Sequence, residues 1–573
     1  MKEFNLLHEP WIAVMTDNKG RVEEVSLIEL FTNAHKFKCL AGETPAQDFA
    51  LLRFLLSILH TVFSRFNEKG NPYEGVDLDE RFKQITEMHS DFKGDYINAS
   101  FNTWKALWDA KEEKFPEILT RYLEKNSDKF NLYDEKYPFY QISKAEMESL
   151  SDEPGESTKG RIYFKYINRL LSESENKTEL FAPASEAFKD KLSDAALTRW
   201  LIAFQGYTGT SDKRKFPGMT ASASKGWLLG LGGIYLSGKT LKETLLLNMI
   251  MSKDNGSQWQ KPVWEKSFNE KIDDFTRGFP DNLAELYTNW SRLLIIDSDE
   301  NRGQFLRAVQ LPGIDPQEFF LEPMTIWYYP QSGANKERCM PKTHDLNCSF
   351  WRSFWLLDRN RIISSKDKKT ARTPRILNWH SELAKKKCVQ KKLATLRAVG
   401  LSYNRDASTM PNDEIYDELN IHNEVLADIV ASGWVARISE TVEITKMVID
   451  RVLRNFANEI EMIRNVSEGG LPDRVCQDAY FAVDMPFREW LAAIKPEDNK
   501  DEKIIEWKDI LKKIIFEQAD KLLENAGNRD FLGKKISEKG KSEEIYNIMH
   551  AYNKFKNWLL SPKVLGKQKG GKQ

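Results

Sequence analysis

Residues 438–463 read ISETVEITKMVIDRVLRNFANEIEMI. Their apolar side chains recur at intervals of three or four residues, with one interval of seven, so they form a single stripe along a helix. The stripe consists of Ile438, Val442, Ile449, Val452, Phe456, Ile460 and Ile463. A Gly-Gly-Leu-Pro break follows at 469–472. We therefore predict one long amphipathic helix that ends before this break.

The remainder of the C-terminal region carries three more stretches of this kind. One covers residues 475–494. The other two have stripes formed by Ile504, Trp507, Leu511, Ile514 and Leu522, and by Ile545, Met549, Tyr552, Phe555 and Leu559. Four amphipathic helices joined by short polar breaks favour an antiparallel four-helix bundle over 411–573. We interpret the aromatic residues of the stripes as part of its core.

Residues 1–410 have a mixed character. Apolar segments at 4–14 and 22–30 are strand-like, whereas 51–66 and 196–206 have helical spacing. The inward-facing side chains of the last segment are Trp200, Leu201 and Phe204. The predicted fold class is therefore α+β, with a large mixed α/β N-terminal domain at 1–410 followed by a C-terminal four-helix bundle at 411–573.

The charges are balanced overall but unevenly distributed. The 573 residues include 84 Lys and Arg and 85 Asp and Glu, which gives a net charge of −1. From Lys366 to Arg405 there are twelve basic residues against two acids, Asp367 and Glu382. A basic band of this kind attracts polyanions to one face and makes their binding salt-dependent. The same band is equally compatible with a solvated helix face.

Nothing in the sequence indicates a membrane or an oxidising compartment. No run approaches the ~18 apolar residues of a membrane span, and the first residues lack the layout of a signal peptide. The five cysteines are scattered: Cys39, Cys339, Cys348, Cys388 and Cys476. An odd, scattered set fits a reducing environment, so we predict a cytoplasmic protein without membrane contact.

Residues 233–240 read GIYLSGKT and match the phosphate-binding loop pattern. The strand-like segment that ends at Asp297 could supply the aspartate that holds Mg²⁺. The alternative function is therefore a P-loop ATPase that uses Lys239 and Asp297. Two features oppose it: the variable positions are strand-forming residues, and Thr240 is suited to cap a helix over 241–250.

Other catalytic or metal-binding patterns are weak. Cys339, His344 and Cys348 could supply three metal ligands, but no C-x₂-C pair or fourth ligand accompanies them. The sequence contains no nucleophile elbow and no H-E-x-x-H motif. We predict no metal, no cofactor and no catalytic residues.

Four segments occur in this order: FNLLHEPWI at 4–12, FNLYDEKYPFYQ at 130–141, GKTLKETLLLN at 238–248 and LYTNWSRLL at 286–294. Together they resemble signatures of the CasA family, the large subunit of the type I-E CRISPR Cascade surveillance complex. In the second, Tyr137 stands where the family pattern has histidine. The third and fourth segments also account for the apparent phosphate-binding loop and its aspartate.

This resemblance implies the same fold class and a non-catalytic function. A family member reads the protospacer-adjacent motif on duplex DNA, starts strand separation and helps to recruit the helicase-nuclease. The implied partners are double-stranded target DNA, guide RNA, the other Cascade subunits and that helicase-nuclease effector. A second alternative is a general scaffold whose basic band binds RNA or acidic protein.

The resemblance also assigns site residues by position. The minor-groove loop consists of Gly218, Met219, Thr220, Ala221 and Ser222, with phosphate contacts from Lys213, Arg214 and Lys215. Small side chains there would let the backbone approach base edges in the minor groove. The strand-separating wedge consists of Arg405 and Asp406, and Asp406 stands where relatives can have glutamine. Contact with the guide-RNA handle falls to Leu180 and Phe181.

Overall fold

The computed structural model describes most of the chain, with gaps. The described ranges are 3–150, 161–167, 192–209, 214–217, 225–251, 259–299, 303–314, 322–328, 340–342, 349–357, 362–364, 369–370, 373–389, 392–403, 411–536 and 544–565. The chain forms two compact units. The first unit comprises Met1–Leu346, Ile363–Cys388 and Thr395–Glu418; the second comprises Asn347–Ile362, Val389–Ala394 and Leu419–Gln573.

The N-terminal segment forms a small antiparallel sheet in the order β2-β1-β3. Its strands are β1 (Ile12–Met15), β2 (Val22–Val25) and β3 (Cys39–Leu40). The prediction that 22–30 is strand-like throughout is wrong, because helix α1 (Leu27–Asn33) follows β2 directly. The hydroxyl of Ser26 accepts a 3.1 Å hydrogen bond from the amide of Glu29 and so starts the helix.

Nine further helices of the first unit are α2 (Pro45–Phe63), α3 (Lys93–Asp109), α4 (Glu117–Lys125), α5 (Lys144–Ser149), α6 (Phe164–Ile167), α7 (Asp194–Tyr207), α8 (Leu241–Asn248), α9 (Phe268–Arg277) and α10 (Leu283–Tyr287). Helix α11 (Arg375–Lys385) follows later in the chain. Helix α7 confirms the helix predicted at 196–206, with Trp200 and Leu201 buried.

The other strands form small sheets. Strands β4 (Arg161–Tyr163), β7 (Gly303–Gln310) and β6 (Arg292–Asp299) pair in that order, and β8 (Ile326–Tyr328) pairs with β9 (Met340–Lys342). Strand β10 (Ile362–Ser364) pairs with β11 (Lys369–Thr370). Strands β13 (Pro411–His422), β12 (Leu393–Tyr403) and β5 (Gly233–Ser237) form a third three-stranded sheet in that order.

Helix α2 is the core element of the first unit. In the described part of the chain, it is the one helix long and apolar enough to cross a membrane, yet 94% of that stretch is buried inside the protein. It begins before the predicted start at 51, because Thr44 caps it and Pro45 occupies its first turn. The length and apolarity of α2 therefore serve a buried core.

Two buried ion pairs fix α2 and the residues just after its C-terminus to distant parts of the sequence. The guanidinium of Arg53 donates two 2.8 Å hydrogen bonds to the carboxylate of Glu322. Twelve residues further along, Arg65 makes the same bidentate arrangement with Glu265. Because all four side chains are shielded from water, removing either partner would leave a buried charge without compensation.

The second unit contains the predicted bundle. Its elements are α12 (Asn423–Ala427), α13 (Trp434–Met447), a π-helical turn (Val448–Leu453), α14 (Arg454–Ile463), α15 (Leu471–Ala493), α16 (Lys500–Glu524), α17 (Asn528–Leu532), β14 (Lys534–Ile536), β15 (Glu544–Tyr546) and α18 (Ile548–Leu559). Every residue of the first predicted stripe is buried. Ring contacts join the helices: the centroids of Phe456 and Phe555 are 5.2 Å apart, and those of Phe487 and Trp507 are 4.9 Å apart. These contacts confirm the predicted fold class.

The last predicted stripe is only partly correct. Phe555 and Leu559 are buried, but Ile545 is 56% exposed and Met549 is also exposed. Asn547 caps α18 by accepting hydrogen bonds from two backbone amides of the first turn. The helix therefore begins after Ile545, which lies in β15, so the predicted helical spacing does not apply to that residue.

Candidate nucleic-acid interface

The residues that flank the segment 209–225, which carries the predicted minor-groove loop, lie close together. The amide of Gly226 donates a 2.9 Å hydrogen bond to the carbonyl of Thr208, immediately after α7. A Cβ atom on Gly226 would overlap the carbonyl oxygen of Gly206. The two ends of the segment can approach this closely because residue 226 has no side chain.

Buried polar contacts reinforce this loop base. The side-chain amide of Gln205 donates to the carbonyl of Arg292 at 2.9 Å, and its oxygen accepts from the amides of Ser291 and Arg292 at 2.9 and 3.0 Å. The guanidinium of Arg292 in turn donates to the carbonyl of Gly209 at 2.6 Å. We call Gln205, Thr208, Gly226, Ser291 and Arg292 the loop base. These contacts fix where the 209–225 segment begins and ends.

The residues predicted to contact phosphate differ in their exposure to solvent. Lys215 is exposed, and its backbone runs beside Gln310 at the end of β7. Arg214 is only 6% exposed and packs against the sulfur of Met147. Its guanidinium therefore does not face solvent, and the prediction that Arg214 contacts phosphate is corrected to a packing role. Lys213 and the residues 218–222 lie outside the described residues.

Strands β12 and β13 form a hairpin, and the predicted wedge falls in the sequence that connects them. Strand β12 pairs in antiparallel register with β5, from Thr395 opposite Ser237 to Val399 opposite Gly233, and β13 lines its other side. Arg405 and Asp406 lie outside the described residues, between the two strands. Arg405 is eight residues beyond Arg397, which marks the root of the hairpin, so at most about 26 Å of chain separates them at ~3.3 Å per residue.

Polar contacts hold this hairpin root. The Nε of Arg397 on β12 donates to the carboxylate of Glu418 on β13 at 3.2 Å. Glu414, also on β13, accepts a hydrogen bond from the amide of Ala46 in the first turn of α2. A carboxylate at a helix N-terminus is favoured by the helix dipole. We call Arg397, Glu414 and Glu418 the hairpin root.

Part of the basic band is exposed. Lys385, Lys386 and Lys387 follow one another at the end of α11 and face solvent. The indole of Trp108 donates to the carbonyl of Cys388 at 3.0 Å and so fixes this turn against α3. Lysines at a helix C-terminus also complement the helix dipole, so this position supports a stabilising role as well as a phosphate-binding one.

The P-loop alternative is wrong. The variable positions of the motif lie in β5, which pairs antiparallel with β12, so no loop surrounds a phosphate. The carboxylate of Glu243 accepts from the amide of Lys239 at 2.7 Å, so this amide already has a partner within the protein. Thr240 caps α8, as predicted. Asp297 belongs to a different sheet and pairs with Arg307.

Several other predicted residues cannot be placed. Leu180 and Phe181, assigned to the guide-RNA handle, lie outside the described residues, as do Cys339, His344 and Cys348. Sequence reasoning missed Gln205, Gly226 and Glu414. Gly226 had one sequence signal, the turn-forming composition of the segment that ends there. Gln205 and Glu414 had none, because their contacts join residues far apart in the chain.

A family model described as CRISPR-associated protein Cse1 matches residues 5–518. The chain belongs to the CRISPR-associated Cse1 family. A curated relative, the CRISPR-associated protein CasA/Cse1 of Thermus thermophilus, is 26% identical over 266 residues, which are 46% of this chain and 43% of that protein. The alignment therefore spans less than half of that relative's length.

Solved structures share the Cse1 fold over nearly the whole chain. Thermobifida fusca Cse1 superposes with a TM-score of 0.75 at 23% identity, covering 99% of both chains. Thermus thermophilus CasA gives 0.62 at 18% identity, covering 97% of this chain and 98% of that one. A chain of a CRISPR RNA-guided surveillance complex gives 0.58 at 15% identity, covering 91% and 100%.

The segments that resemble Cse1-family signatures have structural functions here. The indole of Trp11 is buried and donates to a backbone carbonyl at 2.9 Å. Gln141 bridges two segments, and the buried side chain of Asn248 pairs with both backbone groups of Leu236 in β5. Arg292, from the fourth segment, belongs to the loop base. These segments therefore shape the fold that supports the candidate interface.

Proposed function

We propose that this chain is the non-catalytic large subunit of a type I-E, RNA-guided CRISPR surveillance complex. In that complex it recognises the protospacer-adjacent motif in duplex DNA, starts strand separation and helps to recruit the helicase-nuclease. The Cse1-family match over residues 5–518 carries this proposal. The closed loop base and the hairpin root support it, because the residues that flank both candidate DNA-contacting segments are held by defined polar contacts.

Partners and location belong to the same proposal. The fold is shared with a chain of a CRISPR RNA-guided surveillance complex, which supports guide RNA and other Cascade subunits as partners. Leu180 and Phe181 remain the proposed contact with the guide-RNA handle. The complex acts on double-stranded target DNA in the cytoplasm, without a membrane, metal or cofactor.

The proposed mechanism separates affinity from recognition. Exposed lysines, Lys215 and Lys385 to Lys387, attract duplex DNA through its phosphates, so this step depends on salt. The loop at 218–222 then tests the minor groove, where the chemical pattern mainly separates A·T from G·C pairs. Arg405 and Asp406 part the first base pairs, and guide pairing reads the remaining sequence.

The decisive test uses the complete complex, assembled with guide RNA and this chain. Its affinity is measured for duplexes that differ only at the protospacer-adjacent motif, from about 50 to 200 mM salt. We expect affinity to depend on the motif. Lys215→Ala should weaken binding to all duplexes alike and reduce the salt slope by about 1. Lys114→Ala, which removes an exposed lysine of the same unit, is the matched control and should change neither quantity.

The wedge requires a separate measurement of strand opening. Arg405→Ala should slow opening while duplex affinity is kept, because the wedge acts after the duplex is bound. An equal loss of both would contradict the wedge assignment. Motif-blind binding by the wild-type complex would instead favour the general scaffold whose basic surface binds polyanions.

A further inference from the structure

A cavity of about 320 Å³ lies at the hairpin root. Arg397 from β12 and Tyr416 from β13 line it, so both strands of the hairpin contribute a side chain. Asp48 from α2 and Tyr235 from β5 add polar groups, and its apolar lining comes from Met15, Leu40, Pro45, Leu52 and Leu241. A cavity of this size, mostly apolar with a few convergent polar groups, has the composition of a small-ligand site.

Asp48 supplies an unused acceptor to this cavity. Its Oδ1 accepts a 2.8 Å hydrogen bond from the amide of Gly42, whereas Oδ2 has no hydrogen-bond partner among the described residues. Burial raises the pKa of this carboxyl to about 7, and the nearby cations Arg199 and Arg397 only partly oppose that effect. A carboxyl left in this state gains from a ligand that donates hydrogen bonds to it.

Arg397 and the tyrosines define the rest of the ligand. The guanidinium uses its Nε for Glu418 and lies near the hydroxyl of Tyr235, which leaves further N–H donors from the five that arginine carries. Tyr416 is 44% exposed, and its ring offers a stacking face. Arg397 faces the same cavity, and the Glu43 carboxylate that also lines it is already paired with Arg199, so a cationic ligand is disfavoured. The site therefore suits a neutral, flat ring with donors on one edge and acceptors on the next.

Guanine has this arrangement. Its N1–H and N2–H₂ groups are adjacent donors that match a carboxylate, and its O6 and N7 are adjacent acceptors that arginine binds in a bidentate manner. We propose that the cavity at the hairpin root binds an unpaired guanine, with Asp48 on its donor edge, Arg397 on its acceptor edge and Tyr416 stacked on its face. Adenine lacks the paired donors, and hypoxanthine lacks one of them.

The base can come from two sources, a free guanine nucleotide or an unpaired strand; the strand source rests on the proposed function. Arg405 is separated from Arg397 by at most about 26 Å of chain, at the rise of a β-strand. A strand that the wedge displaces would thus reach the cavity some nucleotides away from the first opened pair. The chemistry of recognition is the same for both sources.

The test measures binding to the full chain by calorimetry. Guanosine 5′-monophosphate should bind at least tenfold more tightly than inosine or adenosine 5′-monophosphate. Asp48→Ala and Tyr416→Ala should each weaken guanosine monophosphate binding at least tenfold. Tyr416→Phe retains the ring and should retain binding, which separates stacking from a general loss of structure. Asp91→Ala, at an exposed carboxylate of the same unit, is the matched control.

A second arm uses a single-stranded oligonucleotide with one guanine among thymines, and its all-thymine counterpart. Guanine-dependent binding of the oligonucleotide but not of the mononucleotide assigns the site to a strand; the reverse assigns it to a free nucleotide. Equal binding of all the mononucleotides together with no guanine dependence in the oligonucleotide overturns the proposal. Motif-dependent duplex binding by the complete complex is measured on the same variants, so failure of the cavity is distinguished from failure of the proposed function.

Discussion

Replacing Asp48 by Asn should stabilise the chain, and the gain should grow as the pH rises. Burial raises the pKa of the Asp48 carboxyl from 3.8 to about 7, so below about pH 7 the folded state favours the protonated form. Between these two pKa values the unfolded carboxyl is ionised while the folded one retains its proton. Folding therefore becomes less favourable as the pH rises through this window. Asn carries no charge and can still accept the hydrogen bond from the amide of Gly42.

The size of the stabilisation by Asp48→Asn follows from the pKa shift of Asp48. A shift from 3.8 to about 7, at 1.36 kcal/mol for each pKa unit, corresponds to roughly 4 kcal/mol at most above pH 7. Glu43 adds to the shift, whereas Arg199 and Arg397 oppose it. Part of the effect is already present at pH 5, and the cavity admits water to the carboxyl. The growth of the Asn variant's advantage from pH 5 to pH 8 should thus be about 2 kcal/mol.

Urea unfolding of the wild type and the Asp48→Asn variant at pH 5, 6, 7 and 8 measures this growth. The transition to follow is the one that the substitution shifts, because a chain with two compact units need not unfold in one step. Asp91→Asn, at an exposed carboxylate, should show no comparable trend. An advantage that is constant with pH, or that shrinks as the pH rises, would refute the reasoning.

Three further substitutions test other contacts. Gly226→Ala should abolish motif dependence while nonspecific duplex affinity persists, since a methyl group there overlaps backbone at the loop base; binding of matched duplexes by the complete complex checks this. Arg53→Ala should destabilise the first unit by roughly 3–5 kcal/mol, because Glu322 would retain a buried, unpaired charge, and urea unfolding measures the loss. Trp507→Phe should lower the stability of the bundle by roughly 1–3 kcal/mol, because the buried hydroxyl of Thr445 loses the indole N–H that donates to it at 2.9 Å. Thermal unfolding of the variant measures this loss.

The bundle could be predicted because its stabilising pattern is local. Apolar spacing of three and four residues places side chains on one helix face whatever the partner. The seven stripe residues between Ile438 and Ile463 are buried as that rule requires. The rule fails where a cap changes the start of a helix, as at Asn547, or where a neighbouring residue faces the core instead. Ile515 is fully buried, whereas the predicted Ile514 is only partly so.

The N-terminal unit could be predicted only in outline, because its stabilising contacts join residues far apart in sequence. Nothing local in Arg53 indicates that its partner is Glu322, and no spacing pattern links Glu414 to the first turn of α2. A prediction also fails where a charged residue is assumed to be exposed to solvent. Arg214 stands between two lysines in the sequence, yet its guanidinium is buried, because composition reports charge and not the direction of a side chain.

The closed loop base has a consequence for where specificity resides. A segment whose two ends are already fixed loses less conformational freedom when it binds than one whose ends must be brought together. Under the proposed function, favourable contacts between the 209–225 segment and a groove are then less offset by the cost of ordering, so small differences between base pairs remain visible in the affinity. Substitutions in the loop base, such as Gln205→Ala, should therefore reduce discrimination between motifs more than total affinity. Substitutions of exposed lysines such as Lys215 should do the opposite, since phosphate contacts add affinity without sequence information.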